Sequence, residues 1–362
     1  MTDTTTLQEQ RRNLERDLGM GKFKSLVEIV LDRPGRFIQR MTHSARQPSD
    51  GYSAVLISLV IFLLSAAVSI LLDEFNTLRR ELVFNELLTL GMVVVLFVLL
   101  KAYMSGVRST LRESILDAIE SDANVVDLRD WLTMAYHPKA TLVFSLAAGL
   151  VLAPALLVGL YLSKGQFIGV GPSITFSFVC ILSGMIIYYL LMSLTLPARL
   201  RQYRLRLFAI EPSSSEVIQH LAGMLMSGVY LFALATAGVT VFVTTIGLAP
   251  LIGIGVILGG WAPTVALFIL NQTAISRIIT RTKWQTLNEI QSKIEQLRTQ
   301  EEIPSERTLT QLNKLIDYHE RIKDTRNSTL DLGAGLNLLN SLLLPLLAFV
   351  LANLDKILAL FQ

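Results

Sequence analysis

The sequence predicts an all-α, polytopic helical membrane protein: six transmembrane helices, a seventh candidate near the C-terminus, and a cytoplasmic antiparallel helical hairpin. Three observations carry this prediction. Hydrophobic residues make up 52% of the 362-residue chain and charged residues 17%, with a mean hydropathy of +0.51, above the balance of a soluble domain. The 32 Lys and Arg and 29 Asp and Glu fall almost entirely outside the long apolar runs. Those runs reach or approach the roughly 20 helical residues that cross a hydrocarbon core of about 30 Å.

Residues 1–53 form a polar N-terminal piece. Within KFKSLVEIVLDRPGRFIQRM, Phe23, Leu26, Val27, Val30 and Leu31 share one helical face, followed by Arg33, Arg36 and Arg40 beside Phe37 and Ile38. Such a helix suits either the headgroup region of an anionic leaflet or the protein's own cytoplasmic face. No apolar h-region follows a short basic start, so no cleavable leader is expected and the first span serves as the address.

The bundle occupies residues 54–270. Its spans are Ala54 to Leu72, Leu87 to Met104, Thr141 to Ser163, Ser173 to Leu196, His220 to Ile246 and Leu251 to Leu270. Each is helical, because an isolated strand in lipid leaves its backbone groups unsatisfied. With the N-terminus in the cytoplasm, the inner segments hold nine Lys and Arg (1–53), four (105–140), four (197–219) and ten (271–329), whereas the outer ones hold Arg79, Arg80 and Lys164. That asymmetry sets the N-terminus inside. Short outer loops and the missing leader fit a cell membrane, specifically a prokaryotic inner membrane.

Two cytoplasmic linkers interrupt the bundle. In 105–140, Val107, Leu111, Ile115 and Ile119 recur at steps of four, an amphipathic pattern expected to lie on the membrane surface or against the hairpin. Glu113, Asp117, Glu120, Asp122, Asp127 and Asp130 cluster there without the alternating-ligand loop of a calcium site, and read as a solvated face. In 197–219, Ser213 followed by Glu216 predicts a capping box that starts the fifth span's helix.

The sixth span continues without Pro or Gly from Leu270 through Glu301, about 46 Å at 1.5 Å per residue. Its distal part, in KWQTLNEIQSKIEQL, carries an apolar seam of Leu287, Ile290, Ile294 and Leu297. After the break EEIPSE, Leu309, Leu312, Leu315, Ile316 and Ile322 form a second stripe. Residues 271–329 therefore read as a coiled-coil-like hairpin seamed by Leu287, Ile290, Ile294, Leu297, Leu309, Leu312 and Ile316; pairing with neighbouring subunits is the alternative. Residues 330–362 form a C-terminal helix that crosses or associates with the membrane. Its apolar core, 336–352, is broken by Pro345 and dotted with Asn337, Asn340 and Ser341.

Reactive chemistry is thin. His43, His137, His220 and His319 are far apart in sequence and lack metal-ligand spacing, and the single Cys180 lies in an apolar run, so no metal, cofactor or nucleophilic site is expected. A net charge of +3 without a basic and aromatic track argues against nucleic-acid binding. The predicted spans contain no Asp or Glu, which disfavours a proton-coupled carrier. Thr236, Thr240 and Thr244 align on one face of the fifth span, as pore-lining groups or as groups that bond to helix carbonyls. Gly255 and Gly259 in GIGVILGG have the spacing that lets helices approach closely. The expected function is thus a non-enzymatic, channel-like or pore-forming homo-oligomer regulated by the hairpin. The alternative is a membrane-anchored scaffold or sensor that docks a soluble cytoplasmic partner through 271–329. A transporter or a membrane enzyme ranks below both. The remaining expected partner is the lipid bilayer.

Overall fold

The computed structural model describes residues 3–42, 49–72, 80–164, 169–203, 205–208, 211–246, 250–300 and 306–326. Among them the fold is all-helical, and strand-like pairing is limited to one isolated bridge between Ile119 and Leu205. In chain order the elements are α1 (Asp3–Gly19), α2 (Leu26–Thr42), α3 (Asp50–Leu71), α4 (Arg80–Thr110), α5 (Leu116–Ala118), α6 (Asp122–Ala135), α7 (Pro138–Lys164), α8 (Val170–Leu200), α9 (Glu216–Ile246), α10 (Pro250–Gln300) and α11 (Glu306–Asp324). A π-turn at Leu111–Ile115 joins α4 to α5. The 336–352 candidate, the EEIPSE turn apart from Glu306, and His43 lie outside the described residues.

Six helices, α3, α4, α7, α8, α9 and α10, are long and apolar enough to cross a membrane. Their side chains are sorted inversely to those of a soluble bundle. The buried face of α3 is Ser53, Ala54, Ser58, Ser65 and Ser69, while Val55, Leu59, Val60, Leu63 and Leu64 point outward. On α7, Thr141 and Ser145 are fully buried, but Leu150 and Val151 are 76% and 69% exposed. Small and hydroxylated residues between helices with large apolar ones outside suit a lipid solvent, where close van der Waals packing and interhelical hydrogen bonds hold helices together.

α7 packs closely along α8. A Cβ on Gly149 would lie 2.5 Å from Ile181 Cγ1, and one on Gly184 would lie 2.7 Å from Ala148 Cβ and 3.0 Å from Ser145 Cα. Only glycine admits that approach.

At one end of the bundle, where α3 begins and α4 and α8 finish, α1, α2, α5 and α6 gather into a basal unit. The two environments considered for the N-terminal helix resolve here: Val27 and Leu31 are 0% and 1% exposed, and with Leu14, Leu18 and Phe23 they join the main core. The 105–140 linker corrects the sequence expectation. Val107, Leu111, Ile115 and Ile119 are buried in this same core, against α1 and α9 rather than on a surface or on the hairpin, because α1 supplies an apolar face that local periodicity does not reveal.

Helix starts also depart from expectation. Residues Pro212–Ser214 form a single 3-10 turn and α9 begins at Glu216, whose carboxylate is exposed. The box expected at Ser213 and Glu216 is not what starts this helix. A reciprocal box does form at α2: Ser25 N and Oγ donate to Glu28 Oε2 at 2.8 and 3.0 Å, and Glu28 N donates to Ser25 Oγ at 3.2 Å.

Candidate functional site

α10 is one unbroken helix of 51 residues. Its first part packs against α9 and α8, its middle buries Ile275, Ile278 and Ile279 in the main core, and its distal part carries α11. Leu287, Ile290, Ile294 and Ile322 form a separate buried cluster, with Leu312, Leu315 and Tyr318 packed on it. Lys283 Nζ donates to the carbonyls of Lys323 and Thr325 at 2.8 and 2.7 Å, so α11 runs antiparallel to α10 and its C-terminal end is capped by a cation.

The expected seam is only partly the observed one. Leu287, Ile290, Ile294 and Leu312 are in it and Leu297 is half-buried, but Leu309 and Ile316 are 48% and 39% exposed. At 3.6 residues per turn, Ile322 lies about 20° from Leu315 around α11, whereas Leu309 and Ile316 lie about 100° or more away. The facing surface is therefore Leu312, Leu315, Tyr318 and Ile322.

Between α4, α8, α9 and α10 is a cavity of about 460 Å³. It exists because α10 presents Gly259, Gly260, Pro263 and Ala266 there, and α9 presents Ala235. Two of the sequence-selected residues, Thr236 and Gly259, line it. Thr236 Oγ1 donates to Gly260 O at 3.3 Å and sits 3.4 Å from Thr264 Oγ1, and Thr240 Oγ1 donates to Thr236 O at 2.9 Å. Both threonines are buried and their hydroxyls bond to helix carbonyls; the side chain of Thr244 lies outside the described residues. Close approach of α10 to α9 occurs at Gly260, where a Cβ would meet Thr236 Cγ2 at 2.8 Å. Among the described residues nothing stands within 4 Å of where a Cβ on Gly255 or Gly259 would lie, and both glycines are exposed, Gly259 at the edge of the cavity.

A polar cluster that the sequence did not point to ties the bundle near the far ends of α3, α4 and α8. Glu86 Oε1 accepts from Ser65 Oγ and from Thr175 Oγ1, both at 2.6 Å, and Gly171 admits Ser65 and Ser69 so closely that a Cβ there would overlap Ser69 Oγ. The boundary drawn at Leu87 leaves Glu86 out; the signal that finds it is the helical continuation of α4 back to Arg80. Lower in the bundle, Asn271 is buried, and its Oδ1 has no partner among the described residues, while its Nδ2 donates to Leu225 O at 3.4 Å.

Ion pairs and hydrogen bonds reinforce the apolar contacts that hold the basal unit. Arg108 Nη2 donates to Glu28 Oε1 at 2.6 Å, and Nη1 to Glu28 Oε2 and Phe23 O at 3.2 and 2.6 Å. Lys101 bonds to Asp32 and Asp50. Tyr189 Oη accepts from Leu26 N at 2.7 Å. Asp127, from the acidic group, accepts from Arg199 and from Tyr203; burial first, and then the Asp127 carboxylate, push the Tyr203 phenol up. Among the described residues no cluster of three or more His, Cys, Asp or Glu could hold a metal ion. His137 accepts from Ala140 N at the start of α7, and His220 pairs with Ser114 of the π-turn.

Neither the family models, nor the curated proteins, nor the solved structures contain a match to this chain.

Proposed function

We propose that this chain is a non-enzymatic, multi-pass membrane sensor or scaffold of the cell membrane, with its N-terminus, basal unit and hairpin in the cytoplasm. One observation carries this reading: α10 lines the bundle's cavity with its first part and holds α11 with its last, without a break over 51 residues. A helix continuous through Pro263 to the hairpin would carry a small rotation at the cavity into displacement of the hairpin. Leu309 and Ile316, one heptad apart and exposed on α11, offer a soluble partner an apolar stripe.

The test is a distance measurement in lipid nanodiscs between spin labels at Ser292 on the hairpin and Asp130 on α6. Gly260→Leu wedges α10 away from Thr236 and should shift that distance distribution. An unchanged distribution in a folded variant refutes the coupling. Tags at Phe75 and Thr310 reached from the same face of intact cells would refute the topology.

The second reading is a channel-like homo-oligomer. It is favoured by the Gly255 and Gly259 pair, which is exposed among the described residues and would give α10 a face for another copy. In this reading the pore lies between copies, since the Thr236 and Thr240 hydroxyls are engaged within one chain. Planar-bilayer recording on a mass-defined oligomer separates the two readings: steady conductance that responds to hairpin substitutions favours the channel.

A further inference from the structure

We infer that the cavity between α4, α8, α9 and α10 holds one acyl chain of a bilayer phospholipid. This inference rests on the bundle's residence in the membrane and supplies the proposed sensor with a ligand class.

Shape is the first argument. Along α8 the lining runs from Val179 to Leu194, a rise of about 22 Å at roughly 1.5 Å per residue, so the cavity is elongated along the helix axes, the direction in which lipid tails extend. Its volume falls within the usual range of ligand sites, about 300–1,000 Å³.

Chemistry is the second. The hydroxyls on its wall are committed: Ser183 Oγ donates to Val179 O at 2.9 Å and Thr236 Oγ1 to Gly260 O. Water entering there would find few of the partners a buried water requires, whereas methylenes would meet the apolar walls of Leu96, Ile186 and Leu267.

Access is the third. Leu191 and Gly259 on the lining are exposed, as is neighbouring Leu258, so the mouth opens on the same outward apolar surface that carries the bundle's other large exposed aliphatic residues. The medium at that mouth, in a membrane, is hydrocarbon. Small residues at Ala235, Gly260 and Ala266 keep the space open.

The test uses the full-length protein in proteoliposomes of phosphatidylethanolamine and phosphatidylglycerol, doped with a phospholipid bearing a diazirine at one chain end. After illumination, adducts are mapped by proteolysis and mass spectrometry. The inference expects adducts at Leu182, Ile186 and Leu267, which are buried and line the cavity. In Ala235→Phe/Ala266→Phe these adducts should fall by about fivefold or more, because close packing leaves no room for the chain, while those at Leu150 and Val151 persist. The single Ala266→Phe variant serves if the pair fails to fold. Adducts confined to outward positions, interior adducts unaffected by filling, or interior labelling by a free fatty-acid probe alone would overturn the inference. So would protection of the lining by residues 336–352 or by a second copy cross-linked through Gly259→Cys. Missing adducts at Leu150 and Val151 would instead refute membrane residence itself.

Discussion

Arg108→Met is expected to loosen α2 from α4 without unfolding the bundle. Arg108 makes two bonds to Glu28 and one to the Phe23 carbonyl, and the side chains of Arg108 and Glu28 are 16% and 5% exposed. Removing the guanidinium leaves a buried carboxylate with only the Ser25 amide and hydroxyl as donors among these contacts. Breaking a buried pair from one side costs about 3–5 kcal/mol. Taking the lower end, because the site retains some solvent, the opening equilibrium of α2 rises roughly 150-fold. Hydrogen exchange by mass spectrometry in nanodiscs reads this directly. Amides of residues 29–33 should lose protection by that factor, while those of α8 remain unchanged. Adding Glu28→Gln should recover much of the loss, since glutamine retains the capping geometry without an uncompensated charge. A change smaller than about tenfold in Arg108→Met, or an equal loss in α8, would refute the view that this pair is a local clasp.

Three further outcomes follow from the same geometry. The Asp32 carboxyl is pulled upward by partial burial but is held on balance below its ordinary 3.8 by hydrogen bonds from Lys24 and Lys101 and by their charges; its stabilisation is complete above 3.8 and is lost as pH falls through the lower folded value. Exchange protection of α2 should therefore decline at pH below 3.8, and Asp32→Asn should shrink that acid step; an identical step in the variant refutes the assignment. Gly184→Ala forces a Cβ to within 2.7 Å of Ala148 Cβ and 3.0 Å of Ser145 backbone atoms, so thermal stability should fall by about 1–3 kcal/mol, whereas Gly91→Ala, with open space around it, should be silent in the same melt. Lys283→Met removes both donors to the end of α11, which should cost the hairpin about 1–3 kcal/mol and raise exchange in residues 312–324 alone; a uniform rise along α10 would count against an independently closing hairpin.

How far the sequence carried this architecture follows from the range of the forces involved. The six helices long and apolar enough to cross a membrane were legible because run length and charge exclusion are local properties of each segment. The extension of α10 was equally local, a stretch free of Pro and Gly that keeps helical periodicity past the apolar run. The hairpin's partner stripe was legible as a stripe but not in rotation. Leu309 and Ile316 satisfy the heptad as well as Leu315 and Ile322 do, and only the docked position of α10 chooses between them.

The polar joints were the least legible part, for a physical reason. In a soluble protein an amphipathic helix announces its buried side by its apolar residues; on α3 the buried side is serine and alanine while leucine and valine lie outside, so the usual signal is inverted and weak. Glu86 compounds this. At the sequence level it is one more charge at the end of a run, yet in the fold it accepts hydroxyls from two other helices at 2.6 Å, which makes it the fastener of α3, α4 and α8 rather than a boundary marker. The same inversion explains the cavity. Thr236 and Thr240 were legible either as pore-lining groups or as groups that bond to helix carbonyls; they do the second, and a hydroxyl so committed presents its methyl group and its neighbours' aliphatic carbons to the space beside it, so the wall at Thr236 is apolar in effect. With the hydroxyls on its wall bonded to helix carbonyls and its space lined largely by hydrocarbon, the cavity suits the proposed acyl chain, and the continuous α10 is the route by which the proposed sensor would pass its occupancy to the hairpin.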